Sequence, residues 1–433
     1  MRYLIQKLIV GNQKNAKRNS FFWNAAYSGL NACQSAIILL FVSRTLSLID
    51  AGIISIGFAL ANLAAIIGRY GIRNYQVTDS NEVYSFGDYY YCRIFTVAAT
   101  AAGFLGYLVI TVICGSYSSQ KALIIFLIIL LKLIDAFEGV YVGRLQQRGR
   151  LDIGTKIASF RLGVSTLVIC ICFLCRTGTV AAFAAGILAA LCVDFLLIPL
   201  TSGQGNYVLS VFDSQKLFLL VKTVFPLCVG TALHNYIGNA PKYLVDYYMN
   251  DEMQAIVGYV MMPMFVITLL NSFIMHPVVK DLGDAWNSGD FSRFQKMCWR
   301  HIGIIFGFTV LVVIAGEIAG IPLLSLMYNV DLSMFKKEFG VLMIGGMLYT
   351  ITNYLIVLLT TMRKLGAIVA GCVASLAVYG LAGGALLRSY GIMGSAILYV
   401  IVNAIMVSVF AICIVRGIKK HRNTEDTIKE PTC

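Results

Sequence analysis

A chain whose apolar runs are each as long as a bilayer is thick has few folds open to it. Crossing a hydrocarbon core of about 30 Å takes roughly 20 helical residues. Twelve segments meet that length: 20–42, 50–69, 93–115, 121–142, 157–175, 178–200, 217–239, 254–276, 300–325, 338–360, 365–387 and 392–415. In lipid the backbone must satisfy its own polar groups, which leaves helices and closed barrels. Barrel strands alternate over about ten residues, and these runs do not alternate. The expected fold class is an all-α polytopic membrane protein with twelve transmembrane helices. Only 13% of the 433 residues are charged, against about a quarter in soluble proteins, and the mean hydropathy is +0.79. Residues 1–20 are basic and polar, with no small-residue cleavage site after a short apolar core. The first run is therefore expected to be a retained span and not a signal peptide.

Orientation follows from the basic residues, which collect in cytoplasmic loops. With the N-terminus inside, 24 of the 34 Lys and Arg fall on the inner side, seven on the outer side and three within spans. Both termini are thus expected inside, in the cell (cytoplasmic) membrane. The net charge of +13 belongs to those loops, and no nucleic-acid partner is expected. The twelve cysteines are scattered, mostly in apolar runs, and the four histidines show no metal spacing. No cofactor or metal is expected.

The loop 201–216, TSGQGNYVLSVFDSQK, divides the spans six and six. The expected lobes are 1–205 and 206–433. A weak internal echo fits two parallel repeats: RTLSLIDAGIISIGFA at 44–59 and KYLVDYYMNDEMQAIVGYVMMP at 242–263 both place a polar turn and an acidic residue before a small residue and Gly. Residues 1–198 hold no proline, whereas Pro226, Pro263 and Pro322 lie in or near spans 7, 8 and 9. Proline removes a donor and kinks a helix, so bent helices are expected in the second lobe, with span 7 the one to flex.

Seven charges sit inside apolar runs: Lys132, Asp135, Glu138, Arg161, Asp194, Lys222 and Glu317. Each costs about 2.5–3.5 kcal/mol on insertion scales, so they pair or line water. At 100° per residue Lys132, Asp135 and Glu138 share one face of span 4. Asp135 or Glu138 can pair with Arg161, and Asp194 with Arg161 or Lys222. Lys132 and Lys222 are expected to border a hydrated cavity. Fixed cations in a low-dielectric cleft attract a diphosphate strongly. Asn24, Asn31 and Gln34 on span 1 are candidates to bond sugar hydroxyls, or to bond between helices.

Three stretches carry a family resemblance: FVSRTLSLIDAGIISIGFALANL at 41–63, GRYGIRNYQVTDS at 68–80 and EGVYVGRLQQRGRLDIGTKIASFR at 138–161. A fourth, NAPKYLVDYYMNDEMQAIVGYVMMP at 239–263, adds to it in the second lobe. They resemble the polysaccharide-transport family of flippases for lipid-linked oligosaccharides, within the multidrug/oligosaccharidyl-lipid/polysaccharide exporter superfamily. The resemblance implies two six-helix bundles in a V, alternating access, and an undecaprenyl-diphosphate-linked repeat unit as substrate. Related lipid II flippases use a basic central cavity, for which Arg69, Arg73, Lys132, Arg161 and Lys222 are the candidates here. A monomer and no covalent chemistry are expected. The drug-exporting relatives typically carry an acidic residue in span 1, and this span has none.

Two other functions remain open. An ion-coupled exporter of small cationic compounds on the same fold would use Asp135, Glu138, Asp194 or Glu317 to bind a proton or sodium ion. A membrane-embedded glycosyltransferase or polymerase would need catalytic acids on a substantial outer loop. The outer loops here are short and carry no paired carboxylates.

Overall fold

The computed structural model describes residues 9–10, 16–79, 82–264, 267, 282–286 and 288–429. All regular structure among them is helical. Among the described residues ten helices are long and apolar enough to cross a membrane. An eleventh, Ser119–Gln147, is 29 residues long but carries Lys132, Asp135 and Glu138 in its middle. The eighth expected span starts as Asp251–Val260 and runs past residue 264 into residues outside the described set.

The chain separates into two compact units, Met1–Ala232 and Leu233–Cys433. The first contains α1 (Ala16–Thr45), α2 (Leu48–Arg69), the short α3 (Ile72–Thr78), α4 (Phe86–Ile113), α5 (Ser119–Gln147), α6 (Leu151–Leu174), α7 (Thr179–Leu197) and most of α8 (Ser214–Gly238). Within it α2 packs on α5, α1 on α6 and α6 on α7. Two capping boxes set helix starts. Ser47 and Asp50 close the first turn of α2, and Ser85 and Asp88 do so for α4. In each, the Ser hydroxyl accepts a backbone N–H while the carboxylate accepts the N–H of the cap residue. The second box starts α4 seven residues before the apolar run at 93 begins.

Between α2 and α3 the chain reverses through Tyr70 and Gly71, both with positive φ (51° and 71°). A side chain at Gly71 would also press on Val224 and Leu227 of α8, so glycine is favoured there twice over. Beyond α3, Asp79 accepts the N–H groups of Val83 and Tyr84 and the Tyr89 hydroxyl. Burial alone would raise the Asp79 carboxyl; these three donors outweigh it and hold it below the usual aspartate value.

The segment 206–213, part of the 201–216 loop expected to divide the lobes, lies on the first unit. The Tyr207 ring packs against Phe86 and Tyr141, with centroids 5.2 and 5.0 Å away, and its hydroxyl meets Thr201 at 2.9 Å. The Ser85 hydroxyl donates to that of Ser210 at 2.8 Å, and Tyr91 donates to the Ser210 carbonyl. Gly87 admits this approach, because a Cβ there would strike Ser210. Leu220 and Val224 are buried with Ile72, Tyr84, Phe86, Tyr89 and Cys92. Apolar burial thus binds the segment and the start of α8 to the first unit. The sequence puts the division at 205/206, whereas the compact units divide inside α8, at 232/233.

The second unit holds α9 (Ala240–Tyr248), α10 (Asp251–Val260), α11 (Phe291–Ala315), α12 (Ile321–Tyr328), α13 (Lys336–Thr361), α14 (Leu365–Tyr390) and α15 (Ile392–Lys429). Its α13 and α14 pack on α15. His234 stacks on Tyr349 at 4.7 Å and bonds Thr352 at 3.0 Å. Pro226 lies inside α8. Pro322 opens α12 directly after a π-turn at Gly316–Gly320, where its missing N–H interrupts the α-helical ladder.

Ser85→Ala should cost about 1 kcal/mol through loss of the cap, and it also removes the hydroxyl that Ser210 receives. A thermal-unfolding scan in detergent is expected to show a lowered midpoint, with Ser85→Thr close to wild type.

Candidate anion-binding site

The antiparallel order of the first unit brings one end of each helix together. The C-terminus of α2, the N-terminal turns of α4, the C-terminal half of α5, the N-terminal half of α6 and the end of α7 meet there. Two groups of charge occupy this end. One is a buried ion-pair network, and the other lines a cavity.

The network centres on Arg161 of α6, which is fully buried. Its Nη2 pairs with Asp135, and its Nε donates to Glu138 at 2.9 Å and lies 3.8 Å from Asp194. Lys132 lies 3.5 Å from Asp135 and donates to Asn31 on α1 at 2.9 Å. A buried charge is tolerated when paired and hydrogen-bonded, and a guanidinium offers five donors in a fixed fork. Lys132, expected from the sequence to border a hydrated cavity, is instead tied to Asn31 and Asp135 and is not among the residues lining the cavity next to the network. Arg161 is likewise no free cation.

The cavity, of about 290 Å³, is lined by Tyr27, Arg69, Arg73, Arg93, Asp135 and Glu138, among others. Arg93 is fully buried. Its Nη1 donates to the Gly68 carbonyl at 2.9 Å, while its Nε and Nη2 have no hydrogen-bond partner. Arg73 donates to the neutral Gln146 at 2.8 Å. Arg69 sits in the last turn of α2, where the helix dipole favours a cation. Among the described residues none of these three arginines has a carboxylate partner. The surplus of positive charge therefore faces the cavity.

The other candidates fall elsewhere. Gln34 donates to Thr166 at 3.1 Å, an interhelical bond. Asn24 is half-buried on α1 and does not line the cavity. Lys222 is exposed on α8 and is not in the network. Glu317 lines a separate cavity of about 450 Å³ in the second unit, with Lys336, Lys337 and Glu338. Arg93 was missed because it is the first residue of the expected span 93–115, where an arginine looks like an inner flank. The Ser85-x-x-Asp88 signature was the available signal: it starts the helix at 86 and places Arg93 two turns inside.

No family model matches the sequence, and no curated protein does. Solved structures share the fold. A lipid II flippase MurJ in an inward-closed conformation matches with TM-score 0.67 and 14% identity over 91% of this chain and 89% of its own. A MATE structure in complex with MaD3S gives 0.62 and 12% over 97% and 99%. The Vibrio cholerae MATE transporter VcmN in its bent form gives 0.60 and 13% over 94% and 98%. The chain therefore has the fold of these membrane proteins.

Arg161→Met would leave Glu138 and Asp194 without a cation and Asp135 with Lys132 alone, a change costing about 3–5 kcal/mol. It should abolish the monodisperse peak in size-exclusion chromatography. Adding Glu138→Gln and Asp194→Asn, which leaves the Lys132–Asp135 pair intact, should restore part of that peak, because removing both sides of a buried ionic contact is far less damaging than removing one partner.

Proposed function

We propose that the chain is a transporter that moves undecaprenyl-diphosphate-linked oligosaccharide units across the cytoplasmic membrane for surface polysaccharide synthesis. It works by alternating access of two lobes, with both termini inside and no covalent chemistry. The observation that carries this reading is the cavity walled by Arg69, Arg73 and Arg93, three guanidiniums without carboxylate partners among the described residues. Such a site suits a phosphate oxyanion, since arginine's fork matches its geometry and a low dielectric strengthens the attraction. The cavity is sized for a small oxyanion rather than a sugar chain, so the sugars and the lipid tail lie outside it. The fold shared with a lipid II flippase is compatible with this substrate class.

A second reading, an exporter of small cations, is favoured by the fold shared with MATE structures. In that reading Asp135, Glu138, Asp194 or Glu317 binds the coupling ion. The electrostatics oppose it. Counting the network and the cavity wall together, Arg69, Arg73, Arg93, Lys132 and Arg161 outnumber Asp135, Glu138 and Asp194, and the excess repels a cation.

Removing one charge-assisted hydrogen bond costs about 1.5–3 kcal/mol, which is roughly a ten- to hundredfold loss of affinity. Arg93→Gln and Arg69→Gln should each lower head-group affinity by that factor in reconstituted vesicles, with thermal midpoints near wild type. Unchanged flipping of the lipid-linked sugar in both variants, or a changed resistance to cationic drugs, would sink the proposal.

A further inference from the structure

We infer that Asn31 of α1 donates its side-chain amide to the oxyanion in the arginine cavity, and that Lys132 is the positioning residue that aims it. This rests on the proposed reading of that cavity as an anion site, and narrows the ligand to a phosphoryl group.

Lys132 Nζ lies 2.9 Å from the Asn31 side chain. An ammonium has three donors and no acceptor, so the amide atom it meets is the oxygen. The carboxamide is planar, so holding its oxygen also fixes where its nitrogen points. Turning the amide over would set N–H groups against an ammonium, donor against donor. Asn31 lines the cavity, and its Nδ2 makes no hydrogen bond among the described residues. Tyr27, four residues earlier on the same face of α1, lines the cavity as well, so a helix face and not a stray side chain forms this part of the wall. Lys132 itself does not line the cavity and is held from its other side by Asp135 at 3.5 Å. Its contact with the site therefore runs through Asn31.

The amide adds a donor without a charge, from a helix that carries none of the arginines. Arg69, Arg73 and Arg93 come from α2, α3 and α4, and Arg93 keeps Nε and Nη2 without hydrogen-bond partners. Asp135 and Glu138 are also on the wall, but Arg161 engages both. Donors thus reach the cavity from four separate elements. A carboxylate has two oxygens in one plane, and a single bidentate arginine occupies both. A phosphoryl group has three acceptor oxygens set tetrahedrally about phosphorus, and accepts from several directions at once. The donor set suits phosphate or diphosphate and is largely wasted on a carboxylate.

The experiment is calorimetric titration of the full chain in detergent near neutral pH. Inorganic phosphate is the probe, and malonate, which carries at least as much charge, is the carboxylate control. Wild type is expected to bind phosphate more tightly than malonate. Asn31→Leu keeps the volume and leaves Lys132 with Asp135; it should weaken phosphate by about tenfold, the worth of one hydrogen bond to a charged group. Asn31→Asp still accepts from Lys132 but has no N–H, and should lose at least as much, with a thermal midpoint no lower than wild type. Lys132→Met leaves Asp135 with Arg161. It should weaken phosphate in the wild-type background and have little further effect beside Asn31→Leu, since a residue acting through another gives a non-additive cycle. Unchanged phosphate affinity in either Asn31 variant overturns the assignment of Asn31. Additive losses overturn the positioning role of Lys132, because a lysine acting by charge or packing alone is additive. Malonate bound as tightly as phosphate overturns the phosphoryl preference. Each of these results leaves the arginine site standing, whereas no binding of either anion by wild type removes that site and this inference together.

Discussion

One guanidinium shared among three carboxylates organises the first half of this protein. Between apolar helices in lipid, hydrophobic burial distinguishes poorly between registers, because the tails are as apolar as the side chains. Directional polar contacts supply the distinction. Arg161 fastens α6 to Asp135 and Glu138 of α5 and to Asp194 of α7. Lys132 then extends the network to α1 through Asn31. Four helices are registered by side chains whose desolvation is tolerable only in one arrangement. A slip of either acidic helix by one residue would swing its carboxylates about 100° away from Arg161. The network therefore specifies structure more than it adds net stability.

The neighbouring cavity obeys the opposite rule. Its arginines are held by neutral groups: Arg93 by the Gly68 carbonyl and Arg73 by Gln146. Thr96 also donates to the Gly68 carbonyl, which fixes the acceptor that orients Arg93. A neutral partner positions a guanidinium without spending its charge. Two nitrogens of Arg93 then remain buried and unsatisfied, a cost that an anionic acceptor would relieve. Thus the same helix end contains an ion-paired network and an arginine site without carboxylate partners, joined through Glu138.

How much of this was legible in the sequence depends on which physical signal encodes it. The helical, membrane-spanning character was written in run length, and α5 kept its helix despite its charges. The common face of Lys132, Asp135 and Glu138, and the pairing with Arg161, followed from helical period and from the cost of buried charge. The environment of Lys132 did not, because Asn31 approaches from a helix a hundred residues away in sequence. Arg93 was hidden by position: a charge at the edge of an apolar run looks like a flank unless the cap before it is read as the helix start. The attachment of 206–213 to the first unit was hidden too. Its anchors, Tyr207 and Ser210, depend on the absence of a side chain at Gly87 and on an aromatic cluster assembled from distant segments. Lys222 and Glu317 looked equivalent to the clustered charges by hydropathy alone, yet one is exposed and the other lines a separate cavity.

Residue type matters as much as position at the cavity wall. A lysine at 93 would shed its proton more readily when buried, and the site would lose its charge while empty; an arginine stays charged. Under the proposed function, the standing penalty of Arg93 would give an anion a differential advantage, since a ligand shifts a conformational equilibrium only by the difference in its affinity for the two states. A carboxylate partner for Arg93 would remove that penalty and the binding energy together. Glu138, one wall away, avoids this outcome because Arg161 already claims it at 2.9 Å. The shared guanidinium thus fixes the helices and also keeps the nearest carboxylate from quenching the site beside it.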